Sequence, residues 1–370
     1  MLDGAGVRVA IVTESFLPQI NGVTNSVLRV CEQLAARGGE TLVVAPGPGP
    51  DLYAGARVVR APSLPLPGYS EFRVARPWRD LRGVLREFAP DVVHLASPAV
   101  LGAQAAFAAR QLGLPVVAVY QTDLAGFARR YGLGAAERMT WCWLRAVHDA
   151  ASRTLAPSRH AVSELRRNGV RRVDHWARGV DVRRFAPAHR DVGLRDRLAP
   201  AGELLVGYVG WLAHEKEVGL LAGLRGVPGL RLVVVGDGPQ RAALQRQLPE
   251  VEFLGFQHGA ELATTFASLD LFVHTGSAET FCQAAQEALA SGVPVVAPAA
   301  GGLLDLVRDG HNGRLFAPGS SASLRTTVDA LVRDPVLLSS LTDHARSSVQ
   351  GRTWTAIGDQ LVRHYEQVAA

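Results

Sequence analysis

Apolar, β-branched runs recur along this chain, and segments with helical spacing separate them. The first series occupies residues 7–13, 42–45, 92–95 and 116–120, with helical patterns at 23–37 and 100–112. Val23, Val27, Val30, Cys31 and Leu34 share one face of the first of these helices. A second series begins near Leu204, with runs at 204–209, 230–235, 251–254, 271–274 and 293–297. A strand that is apolar on both faces must be covered on both faces, which calls for a parallel sheet between helix layers. The fold class expected is therefore α/β, with two Rossmann-like, doubly wound domains in tandem. Ligands of such sheets bind outside the carboxyl ends of the strands, so a deep interdomain cleft is expected.

The 370 residues suffice for two domains of ordinary size. Residues 178–200 are charged and proline-containing, without clear periodicity, and read as the linker. The expected division is a first domain over 1–185 and a second over 186–350. A terminal helix over 351–370 is expected to pack back towards the first domain. Its Trp354, Ile357, Leu361 and Tyr365 lie on one side. Pro/Gly-rich stretches at 46–55 and 62–68 read as loops.

Apolar residues make up 48% of the chain and charged residues 20%, the balance of a soluble globular protein. No apolar run reaches the ~18–20 residues that cross a bilayer. Residues 1–6 lack the basic region of a signal peptide, so a cytoplasmic location is expected. Cys31, Cys142 and Cys282 are odd in number and far apart, which argues against a disulfide framework or a metal site. The net charge of +5 is dispersed, and no dense basic run is interleaved with aromatics, so nucleic acid is not an expected partner. The densest basic cluster is Arg166-Arg167 with Arg171-Arg172. It reads either as a solvated helix end or as a patch that meets anionic lipid headgroups at the inner leaflet.

Two carboxylates, Glu279 and Glu287, are separated by seven residues, the second inside a short helical pattern and the first at its mouth. A helix mouth attracts anions through its unpaired N–H groups. A carboxylate there makes sense when the ligand carries phosphates and hydroxyls together: Glu279 and Glu287 accept from sugars while N–H groups meet phosphate. That is the logic of a nucleotide-sugar site. Lys216 is the only lysine among 39 cationic residues. It follows Gly210-Trp211 at a strand-to-helix turn, at the expected start of the next helix, where a compact ammonium suits a diphosphate. Gly236-Asp237-Gly238-Pro239, Phe253-Leu254-Gly255 and Gly301-Gly302 end further strands and allow close backbone approach.

In the first half, Asn21-Gly22 forms a tight turn, with Thr24 read as an N-cap. This is not a GxGxxG fingerprint. His94, near a strand end, reads as structural. Gln121-Thr122-Asp123 follows a strand and is expected on the acceptor side of the cleft, together with Asn21.

These stretches resemble the family 4 retaining glycosyltransferases of the GT-B fold over nearly the whole chain. They are most similar to actinobacterial GDP-mannose-dependent α-mannosyltransferases, through Glu14-Ser15-Phe16-Leu17-Pro18, His94-Leu95-Ala96-Ser97-Pro98-Ala99, the segment from Gln121 to Ala128, and Arg178-Gly179-Val180-Asp181. The resemblance implies that Glu279 contacts donor-sugar hydroxyls, with the backbone of Thr280 and Phe281 at the phosphates. It further implies that Glu287 holds the ribose, that Lys216 neutralises the diphosphate, and that Gly22 lets its loop approach the donor sugar. Asp123 joins Glu279 and Lys216 as a catalytic candidate. Gly210, Trp211, Gly236 and Gly255 complete the donor site.

The implied reaction moves a hexose, mannose from GDP-mannose, to a lipid-linked or glycoside acceptor with retention. It uses no cofactor, and without an Asp-x-Asp motif no metal is expected. Two departures stand out. The family usually has arginine where this chain has Trp211, and losing such a stabiliser costs roughly 10²–10³ in rate. Many relatives carry histidine at Gln121. Alternatives are a UDP-sugar donor, or a degenerate nucleotide-sugar-binding paralogue with little activity.

Overall fold

The computed structural model describes residues 6–19, 21–66, 69–97, 99–123, 126 and 134–370. Residues 1–5, 20, 67, 68, 98, 124, 125, 127 and 128, which belong to stretches singled out above, lie outside the described residues. The chain divides into two compact units, one of residues 1–178 with 354–370 and one of residues 179–353.

The first unit contains β1 (Arg8–Val12), β2 (Glu40–Pro46), β3 (Leu52–Tyr53), β4 (Ala56–Ala61), β5 (Ser63–Leu66), β6 (Tyr69–Ala75), β7 (Val92–Leu95), β8 (Val116–Val119), β9 (Arg153–Ala156) and β10 (Val173–His175). Its helices are α1 (Gly22–Ala35), α2 (Leu81–Phe88), α3 (Val100–Gln111), α4 (Gly134–Ala150) and α5 (Arg159–Arg167). The main sheet has the order β10-β9-β8-β7-β1-β2-β4-β3 and is parallel except for the short edge strand β3. Since β2 and β7 flank β1 on opposite sides, the winding reverses at β1.

The second unit contains α6 (Val192–Leu198), β11 (Leu204–Val209), β12 (Leu230–Val235), α7 (Arg241–Gln247), β13 (Glu252–Gly255), α8 (Gly259–Ser268), β14 (Leu271–Val273), α9 (Gln283–Ala290), β15 (Val295–Pro298), β16 (Gly313–Phe316), α10 (Ser321–Arg333) and α11 (Pro335–Ala345). Its sheet, β13-β12-β11-β14-β15-β16, is parallel throughout, and its switch point lies between β11 and β14.

Successive residues of each central strand enter opposite cores, as the pleat requires. Val9 and Ile11 pack with α1 and the terminal helix α12 (Trp354–Ala369), whereas Ala10 and Val12 pack with α2 and α3. In the second unit Leu205 and Val209 face one core, and Val206 and Tyr208 the other. This double burial is why the strands read as near-continuous apolar runs.

α12 lies in the first unit, and its buried Ile357, Leu361 and Tyr365 join the core under α1. The Tyr365 hydroxyl pairs with Nδ1 of His94 at 2.6 Å. His94 is buried, and burial pushes its pKa down to about 3. His94 therefore joins strand to helix.

Two local expectations are corrected. Residues 63–66 are strand rather than loop: β5 pairs antiparallel with β6, because Pro65 sits in a two-stranded ribbon where a missing N–H need not break a central ladder. The N-cap of α1 is Asn21, whose Oδ1 accepts from Val23 N and Thr24 N, each at 3.0 Å. Thr24 is buried inside the helix, with its hydroxyl 3.0 Å from that of Ser15.

Candidate functional site

In the second unit the candidate residues gather at the carboxyl ends of β11 to β15, around the switch point. Gly210 leaves β11 with its N–H on Val235 O at 3.0 Å, and Gly236 N–H binds Gly255 O at 2.7 Å. Gly236 has φ +130°, and a Cβ there would lie 2.0 Å from Gly210 O. The close approach these glycines permit is thus of one strand-end loop to the next. Trp211 stands 53% exposed on this rim.

Lys216 ends a short 3-10 turn, His214–Lys216, rather than starting the next helix. The left-handed Glu217 (φ 51°) interrupts the chain before the following 3-10 segment, Val218–Leu224. Thr275 Oγ1 donates to Lys216 O at 2.7 Å, and Ser277 N donates to Glu217 Oε1 at 3.1 Å. The loop after β14 is thereby fastened to the turn that carries the lysine.

Glu279 lies in that loop, four positions before α9, whose N-cap is Cys282. It is not at the helix mouth. Its Oε1 receives Lys216 Nζ at 2.6 Å and His274 Nε2 at 3.0 Å. Burial pushes the Glu279 pKa up, but the Lys216 charge and the His274 hydrogen bond outweigh it and hold the carboxyl at about 2. In His274 burial disfavours the imidazolium, yet Cys282 and Glu279 beside it raise the pKa. Tyr208 stacks on the imidazole with ring centroids 6.1 Å apart. His274 was not singled out from the sequence, where it is one ring at the end of a strand.

Gly301 and Gly302 clamp the backbone of this segment. Gly301 has φ +59°, and a Cβ on it would meet Glu279 O at 2.6 Å; one on Gly302 would meet Thr280 O at 2.4 Å. Gly302 N–H donates to Glu279 O at 2.7 Å. Thr280 and the buried Phe281 therefore have a fixed course between Glu279 and α9. Glu287 lies in the second turn of α9, half-buried.

In the first unit, Asn21 and Gln121 have structural partners. Asn21 caps α1 and donates from Nδ2 to Ser15 Oγ at 2.6 Å. Gln121 is buried, donating to Ala96 O at 3.0 Å and accepting from Arg178 Nη2. Arg178 Nη1 also donates to Gly22 O at 2.9 Å, so one buried arginine joins the start of α1 to the end of β8. Asp123 accepts from Gly126 N at 2.6 Å and from Tyr120 Oη at 3.3 Å. Glu14 accepts from Gly102 N at 3.3 Å, at the first turn of α3. Asn21 and Gly22 follow β1, and Gln121 and Asp123 follow β8, each beyond the carboxyl end of its strand. Among the described residues no group of three or more His, Cys, Asp and Glu is placed to hold a metal ion.

Residues 20–184 match the family model Glycosyltransferase Family 4, and residues 194–348 match Glycosyl transferases group 1. The GDP-mannose-dependent alpha-mannosyltransferase of Mycobacterium tuberculosis is 50% identical, with 98% of this chain and 97% of that protein covered. The protein of the same name from Corynebacterium glutamicum is 48% identical over 98% of this chain and 90% of its own length. The chain belongs to the family 4 glycosyltransferases. It is accordingly a transferase enzyme. Among solved structures, Anabaena HepE in complex with UDP superposes with a TM-score of 0.80 at 20% identity, covering 97% of this chain and all of that one. Sucrose-phosphate synthase from Thermosynechococcus elongatus gives 0.80 at 21%, covering 98% of each. These likenesses establish the GT-B fold for this glycosyltransferase.

Proposed function

We propose that this glycosyltransferase moves mannose from GDP-mannose to a lipid-linked or glycoside acceptor with retention of anomeric configuration. The observation that carries the donor assignment is the 48–50% identity to GDP-mannose-dependent enzymes over nearly the full chain. In this reading Lys216 leaves its pair with Glu279 for the diphosphate, and Glu279 accepts from the mannose hydroxyls. Glu287 takes the ribose, Thr280 and Phe281 present backbone N–H groups to phosphate, and Gly210, Trp211, Gly236 and Gly255 border the donor. Asn21, Gly22, Gln121 and Asp123 belong to the acceptor side, Gly22 also approaching the donor sugar.

The reaction runs on one face of the sugar. The acceptor hydroxyl oxygen bonds to the anomeric carbon as the bond from that carbon to the β-phosphate oxygen breaks, and the departing diphosphate takes the hydroxyl proton. The enzyme's part is to neutralise charge on the leaving group and orient the sugar. No metal or cofactor has a part in this scheme.

The test is turnover of GDP-mannose, UDP-glucose and UDP-N-acetylglucosamine with a lipid-linked acceptor, the anomer being read by NMR. An α-mannoside from GDP-mannose, formed far more slowly by Glu279→Ala and Lys216→Ala, is the expected result. Selective turnover of a UDP-sugar would overturn the donor. Trp211 favours one second reading, a binding paralogue with little activity. Donor binding without transfer to any acceptor would support it.

A further inference from the structure

We propose that Gly276 is a positioning residue of the donor site: it lacks a side chain so that Lys216, His274 and Glu279 can close on one another beside its Cα. The inference rests on the donor site proposed above and adds a residue to which that scheme gives no part.

Glycines near this site have two different causes. Gly236, Gly238, Gly255 and Gly301 have φ between +59° and +151°, where any other side chain is strained. Gly276 is not among the positive-φ residues. Its backbone would accept a side chain, but its neighbours would not. A Cβ on Gly276 would lie 3.1 Å from His274 Nε2, 3.3 Å from Lys216 Cα and 3.4 Å from Glu279 Oε1. Carbon is normally comfortable at about 3.5–4.0 Å from such atoms. The three residues it would meet are the lysine, the histidine and the glutamate joined through Glu279 Oε1.

Each of the three is held in place. Lys216 Cα is backbone, and the loop is fastened to its turn on either side of Gly276. Thr275 Oγ1 donates to Lys216 O at 2.7 Å, and Ser277 N donates to Glu217 Oε1 at 3.1 Å. The His274 ring is buried and stacks on Tyr208 with ring planes 9° apart. Glu279 O accepts from Gly302 N–H at 2.7 Å, which fixes its backbone from the other side. An added methyl group therefore strains the cluster. The strain falls first on the His274–Glu279 hydrogen bond, because Nε2 is the nearest atom and the loop has two bonds to the lysine's turn. Once that bond opens, the carboxyl group is free to rotate. A carboxylate that must meet sugar hydroxyls in one orientation loses rate steeply with small displacements.

The test is a double-mutant cycle. Gly276→Ala is expected to lower kcat for mannose transfer from GDP-mannose about 10–100-fold, the loss expected of removing the His274 contact. In His274→Ala the imidazole is gone and its space accepts the methyl group. Gly276→Ala is therefore expected to cost less than about threefold more in that background. Gly219→Ala is the control. It lies three residues beyond Lys216, nothing is within 4 Å of its added Cβ, and its kcat should equal that of the wild type. Melting temperatures establish that each variant folds. A second readout needs no sugar: the Nε2 proton of His274, donated to Glu279, is expected as a slowly exchanging imidazole resonance in the NMR spectrum of the wild type and is expected to vanish in Gly276→Ala. Full kcat in Gly276→Ala, losses that simply add in the double variant, or an unchanged imidazole resonance overturns the proposal. A resonance lost in Gly276→Ala when the wild type transfers no mannose supports the positioning role and overturns the donor assignment, so the two failures are told apart.

Discussion

His274 Nε2 lies 3.0 Å from Glu279 Oε1, and the two side chains are held there by different strand-end features. The histidine closes β14 under the ring of Tyr208, while the glutamate is fixed by the Gly301-Gly302 clamp. The contact sets the rotation of the carboxyl group, which in the proposed donor site decides where its second oxygen would meet the sugar. His274→Ala is expected to lower kcat about 10–100-fold, with a smaller change in donor KM. His274→Gln, which keeps a donor nitrogen, is expected to recover part of the loss. Steady-state kinetics of the three proteins decide it.

The Glu279 carboxyl, held at about 2 against an ordinary 4.5, links stability to pH. The native state binds its proton less readily than the unfolded chain, so the stabilisation is complete above 4.5 and is lost as pH falls towards 2. Removing the charge with Glu279→Gln is expected to cost about 1–3 kcal/mol at neutral pH, since Lys216 remains partly solvated. In thermal melts the gap between wild type and variant should close on the acid side of that window.

Lys216→Ala is expected to lower kcat/KM by about 10²–10³, the scale of losing one stabiliser of a departing charge. Lys216→Arg should restore only part of it, because a planar guanidinium does not fill the place of an ammonium held 2.6 Å from one carboxylate oxygen. Equal activity of all three proteins would remove Lys216 from the donor site.

Trp211 is exposed beside Gly210, so an arginine there has room to extend. Trp211→Arg is expected to tighten donor binding about tenfold by adding a charge for the diphosphate. Calorimetric titration with GDP measures it. Weaker binding would instead mean that the indole itself contacts the donor.

His94 titrates in the opposite sense to a salt-bridged histidine. Burial lowers its pKa to about 3 from 6.5, so the unfolded chain binds more protons between these values. Stability is therefore lost as pH falls below 6.5. His94→Gln is expected to flatten that acid limb of the melting curve. Tyr365→Phe should cost about 1 kcal/mol near neutral pH through its lost hydrogen bond.

Much of this architecture is legible because its strands are buried on both sides. Residues 204–209 read as an apolar run throughout, and 92–95 and 230–235 do so but for His94 and Arg231. β3, β5 and β6 escape that signal because they form edge or ribbon pairs that tolerate proline and polar residues. Asn21 and Thr24 are both good caps by type, and only the fold shows which has its side chain turned to the open N–H groups. The Glu279 to Glu287 spacing and the lone lysine single out Glu279 and Lys216, two residues that the fold brings together. Nothing in residue type or spacing shows that His274, Lys216 and Glu279 share one oxygen atom. That arrangement depends on the neighbouring positions of β11 and β14, 60 and more residues apart in the chain.

The chain passes from the first unit to the second after Arg178 and returns at Trp354. Its opening half therefore lacks one helix of the core under α1 until the sixteen residues of α12 arrive. During synthesis that unit remains unfinished while the whole of the other is made. A stop codon or proteolytic cut ahead of Trp354, far in sequence from the proposed donor residues, would strip Tyr365 from His94 and damage the half of the enzyme that was translated first.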